Sequence, residues 1–218
     1  MYYDLMKLQT EMDMSKYSLK DLALYFEKYD GYICQILTEK RKIKVLLEVN
    51  SFTHLIGIHH AFKGKKDKNK YKGASGFEKI KNGEITYTDI MKAAKNNNDS
   101  ISWASIKNRI KYLPMFFNTI SSKNTYLKIR DDKLICRKIY LNGSYFIYKS
   151  LYNNIYPILS LKKVSDFRTV IETFIIDKDL SLIGALPNEK IISIKLIPPL
   201  DNTSPITIIK NKDTQPVG

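Results

Sequence analysis

The sequence predicts an α+β protein, with N-terminal helices and a hairpin, then further helices, and finally a C-terminal antiparallel sheet. Most apolar segments before Asn124 repeat at three- and four-residue spacing, as on one face of a helix. After Asn124, short runs rich in Ile, Tyr, Leu and Val recur between turn signals with a period near two, which is typical of strands. The chain has 218 residues, of which 44% are hydrophobic, so it can fill a core of its own.

The first helix is predicted to begin after Ser18. This serine stands three residues before Asp21, which approximates a capping box, and apolar residues follow at helical spacing until the Asp-Gly pair at 30–31. Residues 32–37 and 42–49 are strand-like runs on either side of the charged turn TEKRK, and together they predict a hairpin.

The middle of the chain is predicted to be helical, with one basic loop. Asn50 and Ser51 offer an N-cap for the apolar segment SFTHLIGIHHAF. Residues 63–72, KGKKDKNKYK, contain six lysines and one aspartate, and with the following GASG they predict a mobile basic loop. Residues 77–95 predict two short helices that are broken at Asn-Gly 82–83.

A longer helix and a sheet complete the predicted fold. The helix is capped by Ser100 or Ser102, runs from Trp103 to Leu113, and is ended or kinked by Pro114. The strand-like runs are YLKI, KLICRKIYL, GSYFIYKSL, VIETFII and KIISIKLI. Residues 200–218 predict a loosely held tail.

The charge balance points to a polyanionic partner. Lys and Arg number 36 against 22 Asp and Glu, a formal net charge of +14, which suits nucleic acid, an anionic membrane or an acidic protein. The basic stretch 63–72 lacks an apolar face to insert, which disfavours the membrane.

The cysteines and the apolar runs indicate the cellular compartment of the protein. Cys34 and Cys136 both lie in apolar runs, which favours a reducing compartment over a disulfide framework or a cysteine zinc site. No stretch approaches the roughly 20 apolar residues of a membrane span, and the N-terminus lacks a signal-peptide pattern. We therefore expect a soluble, cytoplasmic protein.

The three histidines are the most informative local feature. His54, His59 and His60 fall within seven positions, in HLIGIHH. One interpretation is coincidence on a half-buried helix. The other is proton transfer, because an imidazole with an ordinary pKa of about 6.5 both takes and gives a proton near neutrality.

Metal and nucleotide sites are disfavoured. On one continuous helix, at about 100° per residue, His54 points away from His59 and His60, and no HExxH spacing occurs. The motifs GxxxxGK[ST] and GxGxxG are also absent. We therefore expect no metal and no cofactor.

The lysines that follow the histidines are candidates for binding a nucleic-acid backbone. Lys63, Lys65, Lys66 and Lys68 would contact phosphates, with steep salt dependence, unless this run serves only solubility. Tyr71, within the same loop, would either stack on a base or be an ordinary exposed aromatic.

Four further residues carry weaker signals. Arg109, in SIKNRIKYL, is either a surface helix arginine or a guanidinium that grips a phosphate and stabilises charge developing on it. Tyr148 and Lys149 are candidates for RNA binding, although they and Thr173 lie in predicted strands, where Thr and Tyr are ordinary residues.

From about residue 42 to 199, the chain resembles the phage-associated branch of the barnase-EndoU-colicin-RelE-like nucleases, in particular its fourth subgroup. The resemblance rests on a strand before HLIGIHH, a helix with an NRI arginine, and the strands YFIYKS and VIETFII. It implies an α+β RNase domain over 42–199, with an extension at 1–41 and a tail at 200–218.

The resemblance also implies site residues and a reaction. His54 and His59 match the two motif histidines, Arg109 the helix arginine, and Thr173 a strand hydroxyl that is often serine. Metal-independent RNA cleavage through the substrate's 2′-OH then needs a base, an acid and positive charge. His54 would serve as base or acid, His59 or His60 as its complement, and Arg109 as the charge stabiliser.

Two function classes remain open at this stage. The first is an endoribonuclease, a phage-linked or toxin-antitoxin effector with an acidic antitoxin or immunity protein as a candidate partner. The second is a non-catalytic basic protein that binds nucleic acid. Histidine-dependent product formation distinguishes the two.

Overall fold

A computed structural model describes residues 12–64, 67–97, 103–115, 125–130, 143–151, 154–165, 168–199 and 206–210. The chain forms two compact units. The first comprises the described parts of Met1–Asp30, Glu48–Asn118 and Glu172–Ile176, and the second comprises those of Gly31–Leu47, Thr119–Ile171 and Asp177–Gly218.

The first unit is mainly helical. Its helices are α1 Leu19–Glu27, α2 Phe52–Leu55, α3 Ile58–Ala61, α4 Gly73–Lys81, α5 Tyr87–Lys95 and α6 Trp103–Tyr112, with 3-10 turns at Val49–Ser51 and Lys68–Tyr71. The capping box at Ser18 and Asp21 is confirmed, and Thr86 and Asp89 form a second one before α5. The core of this unit contains Phe52, whose ring lies 5.4 Å from that of Phe26 and 5.5 Å from that of Phe77.

Two predictions in this unit need correction. The GASG segment is not a loop, because α4 begins at Gly73. A Cβ at Gly76 would lie 2.6 Å from the carbonyl carbon of Tyr71, so glycine allows this helix to approach the preceding turn. Ser51 precedes α2 as predicted, but its side chain makes no capping hydrogen bond.

The longer predicted helix is confirmed as α6, which ends at Tyr112, two residues before Pro114. Its two proposed caps, Ser100 and Ser102, lie outside the described residues. Within the described part of the chain, no helix has the length and apolar character needed to cross a membrane.

The sheet contains nine strands among the described residues. They are β1 Ile33–Thr38, β2 Lys42–Leu46, β3 Thr125–Ile129, β4 Tyr145–Lys149, β5 Tyr156–Lys163, β6 Thr169–Asp177, β7 Asn188–Glu189, β8 Ile191–Ile197 and β9 Ile206–Lys210. Their spatial order is β7-β3-β4-β5-β6-β2-β1-β8-β9. The β1–β2 hairpin is confirmed, whereas β2 and β6 pair in parallel, so the sheet is mixed at that position. Residues 172–176 of β6 belong to the first unit.

Three of the observed strands were not predicted, namely β5, the two-residue strand β7 and β9. The run YPILSLKK forms β5, whose burial from Pro157 to Leu161 is continuous and therefore lacks an alternating signature. Within the expected tail, residues 206–210 form β9 and pair with β8. The predicted run KLICRKIYL lies outside the described residues.

The domain boundary expected at residues 41 and 42 falls between the two strands of the β1–β2 hairpin.

Apolar residues of the second unit pack around Phe146, Ile158, Ile183 and Leu186.

Candidate active site

A break between two short helices brings the three histidine rings together. Helix α2 ends at Leu55, Gly57 adopts a left-handed conformation with φ of 74°, and α3 begins at Ile58. The His54 and His59 rings stack with centroids 4.5 Å apart, and the His59 and His60 centroids are 3.9 Å apart. The expectation that His54 points away from the other two was wrong, because it assumed a continuous helix.

The surroundings of the stack favour neutral imidazoles. Loss of solvent around its ring lowers the pKa of His54, and the charges of Arg109 and His60 add to this effect, while Glu172 opposes it. Burial, followed by the charges of His60, His54, Arg109 and Lys72, lowers the pKa of His59 to about 3. At neutral pH, His54 and His59 therefore carry unprotonated nitrogens that can accept protons.

Arg109 contributes a buried positive charge to the same cluster. Arg109 is only 7% exposed, in contrast to an arginine on the protein surface. Burial lowers the pKa of its guanidinium to about 10, so this group stays charged at neutral pH. Its Nη1 donates a hydrogen bond to Oγ1 of Thr173 at 3.3 Å.

The charge of Arg109 is uncompensated within the described part of the chain. Its Nε is buried without a hydrogen-bond partner there, and no described carboxylate forms an ion pair with it. Burying a charge without a counterion is unfavourable, so this guanidinium is well suited to a bound anion.

Gly57 lies directly against Arg109. A Cβ at Gly57 would be 3.4 Å from both Cδ and Nη1 of the arginine. One glycine therefore breaks the helix between His54 and His59 and also leaves room for the arginine side chain. Thr173, in β6, is itself buried, so its hydroxyl holds Nη1 in a fixed place.

Asn97 makes a contact to the end of α3 that sequence reasoning missed. Its Nδ2 donates hydrogen bonds to the carbonyl oxygens of His60 and Lys63, each at 2.9 Å. These bonds tie the end of α3 to the end of α5. The run NNNDS was interpreted only as the approach to the next helix, and nothing in it indicates a contact more than 30 residues away along the chain.

Lys72 and Glu172 also act on the cluster, since both influence the pKa of His54. Lys72 is positioned where α4 begins. There, the backbone N–H of Gly73 donates a hydrogen bond to Oγ1 of Thr53 at 2.9 Å, which ties this end of α4 to α2. Sequence reasoning did not single out either charged residue, because their proximity to His54 arises only from the fold.

The remaining predicted residues are not part of this cluster. Lys63 is exposed, and the Tyr71 ring stacks on Phe62 with centroids 3.9 Å apart. Tyr148 and Lys149 belong to the second unit, where Tyr148 stacks on Tyr126. Lys65, Lys66 and the side chain of Lys68 lie outside the described residues.

Among the residues with described positions, no three or more His, Cys, Asp or Glu side chains are grouped so that they could hold a metal ion.

Comparison with known proteins gives one match. The family model described as phage-Barnase-EndoU-ColicinE5/D-RelE like nuclease 4 matches residues 18–196, most of the chain. This match begins well before residue 42, so it includes β1 and the capped helix α1. No match was found among curated proteins or among solved structures.

Proposed function

Because this chain belongs to the phage-Barnase-EndoU-ColicinE5/D-RelE like nuclease 4 family, we propose that this nuclease is a metal-independent endoribonuclease. The observation that carries the proposal is the buried guanidinium of Arg109, which has no carboxylate partner among the described residues, within a cluster of three histidines. A phosphodiester would supply an anion for this arginine, and the histidines supply the proton transfers.

The reaction begins with the substrate's own 2′-OH. A neutral imidazole takes the proton from this hydroxyl, and O2′ attacks the adjacent phosphorus. The bond from phosphorus to O5′ then breaks, and a second, protonated imidazole gives its proton to O5′. The products are a 2′,3′-cyclic phosphate end and a 5′-hydroxyl end.

The charges of the site suit these two proton transfers. In the free protein, burial, assisted by positive neighbours, keeps His54 and His59 neutral, which suits the base. The negative charge of a phosphate bound at Arg109 offsets the positive charge there and raises the pKa of the adjacent imidazoles, so that one of them can carry the proton for O5′. His54 takes one role, and His59 or His60 takes the other.

Arg109 stabilises the negative charge that builds up on the non-bridging oxygens as O2′ attacks. Thr173 keeps Nη1 of Arg109 in place and can hydrogen-bond to a phosphate oxygen. Lys63, which follows the histidines in the sequence, contacts the flanking phosphates of the RNA backbone. No step in this scheme passes through a cofactor.

Incubation of total RNA with wild type and with His54→Ala protein, in EDTA, tests the proposal. We expect cleavage by wild type that leaves 2′,3′-cyclic phosphate ends, and a rate that is about 10²- to 10⁴-fold lower for a folded His54→Ala variant. Intact RNA together with tight, salt-dependent RNA binding would contradict the nuclease and favour a non-catalytic binding protein.

We further propose that the protein acts as a toxin whose neutralising partner is acidic. The support is the net charge of +14 together with the phage-associated family. Expression of wild type in a bacterial host is expected to arrest growth, and His54→Ala is expected not to. Equal growth of the two strains at equal expression would contradict this role.

A further inference from the structure

The second unit contains a cationic groove that is separate from the histidine cluster. It has a volume of about 510 Å³, and its lining includes Lys40, Arg41, Lys42, Lys44 and Lys163 together with Tyr145. No aspartate or glutamate is among its described lining residues. The lining therefore carries an excess of positive charge, which attracts a polyanion.

The strand geometry directs two of these lysines to the same side. In β2, Lys42 and Lys44 are exposed while Ile43 and Val45 are buried, so the two ammonium groups project from one face. Residues two apart on a strand are separated by about 6.8 Å. This separation is comparable to that of successive phosphates along an extended single strand.

The same row of charge continues across the neighbouring strands. Lys44 pairs directly with Gln35 of β1, and Gln35 pairs with Lys195 of β8. Residues directly opposite each other in antiparallel strands face the same side of the sheet. Lys195 therefore extends the cationic face beyond the groove.

The groove cations differ in their availability. Arg41 is held by Glu189, with Nε 3.0 Å from Oε2, so its charge is already balanced. Among the described residues, Lys40, Lys42 and Lys44 form no ion pair. These lysines are therefore able to contact an external anion.

We propose that this groove is a second RNA-binding site, at which Lys42 and Lys44 contact successive phosphates of a single strand. The inference rests on the proposed RNA substrate. Flexible lysines on one strand face bind phosphate as point charges without reading bases, so the site adds affinity rather than sequence preference. An RNA backbone fits better than a compact anion because the charge extends as a row.

The test compares two variants of equal net charge. Lys42→Gln/Lys44→Gln removes the groove lysines, and Lys178→Gln/Lys190→Gln removes two exposed lysines of the same unit that do not line the groove. Binding of a short fluorescein-labelled 2′-O-methyl oligoribonucleotide is measured by anisotropy over a range of salt concentrations. This probe lacks a free 2′-OH, so the result does not depend on cleavage by the histidine cluster.

We expect the groove variant to bind several-fold more weakly, with a salt slope reduced by about 0.7 per lysine, and the control variant to bind like wild type. Equal weakening in both variants would show a general charge effect and would overturn the site. The groove variant could instead bind RNA as tightly as wild type but bind polyglutamate more weakly. That result would overturn the RNA site in favour of an acidic protein partner.

Discussion

At the scale of single residues, Arg109 is unfavourable for stability and informative for function. A structural arginine at this depth is expected to have a carboxylate partner, which even the more exposed Arg41 has in Glu189. Arg109 instead has one hydrogen bond, to a threonine hydroxyl, and a buried Nε without a partner in the described structure. A group that lowers the stability of the free protein is expected at a site where that group binds a ligand.

Replacing this arginine with an apolar residue of similar length separates its effect on stability from its effect on RNA cleavage. Arg109→Met is expected to leave the free energy of unfolding unchanged or to raise it by about 1 kcal/mol, because a buried uncompensated charge is removed. RNA cleavage should fall by about 10²- to 10³-fold, because the transition state loses its charge stabilisation. Urea unfolding and a cleavage assay measure the two effects, and loss of both stability and activity would indicate a structural arginine.

His59 makes stability depend on pH in a defined direction. Its pKa is about 3 in the folded protein and ordinary, near 6.5, in the unfolded chain. Between these values the unfolded chain binds the extra proton, so the free energy of unfolding decreases as the pH falls from about 6.5 toward 3.

The variant His59→Phe keeps an aromatic ring in the stack and removes the titrating group. We expect wild type to lose more stability than this variant between pH 6.5 and 4, and the two to respond alike to pH above 7. Urea unfolding at a series of pH values measures the difference. Parallel curves across the acid range would contradict the assigned pKa.

At the scale of elements, the site depends on the break between α2 and α3. A single continuous helix would separate His54 from His59 and His60 around its axis. The left-handed Gly57 instead brings the three rings together, with His54 stacked on His59 and His60 tilted against His59. Asn97 then ties the far end of α3 to α5 through two carbonyl oxygens.

Gly57→Ala tests the importance of this break, with Gly83→Ala as the matched control. Both glycines are left-handed, with φ of 74° and 80°, but an added Cβ at Gly83 meets nothing within 4 Å. We expect each variant to lose about 1 to 2 kcal/mol of stability. Only Gly57→Ala should also lose RNA cleavage, because its methyl group contacts Arg109. Equal activity of the two folded variants would contradict a positioning role for Gly57.

Local signals allowed most of the helices to be predicted. The capping residues of α1 are three positions apart, and Pro114 marks the end of α6, so these features depend only on near neighbours. The histidine cluster was identified by spacing, but its stacking could not be predicted, because the sequence does not show that Gly57 is left-handed. The hydrogen bond of Arg109 could not be predicted either, because its acceptor Thr173 is 64 positions away.

At the scale of the whole molecule, the order of the strands in the sheet likewise could not be predicted from local sequence signals. The N-terminal hairpin was predicted correctly from its turn, yet its position in the interior of the sheet was not. β2 pairs in parallel with β6 and β1 pairs with β8, contacts that join segments more than 100 residues apart. Because alternation indicates a strand but not its neighbour, such pairings require the folded structure.

The central claim is that the histidine–arginine cluster cleaves RNA through the substrate's own 2′-OH. The most direct test is a defined oligoribonucleotide with one mapped cleavage position, compared in EDTA with the same oligonucleotide carrying a 2′-deoxy residue at the nucleotide that supplies the hydroxyl. We predict cleavage of the first and none of the second at that position. Cleavage of the deoxy-substituted strand there, or cleavage of the unmodified strand only when divalent metal is added, would contradict the proposed mechanism.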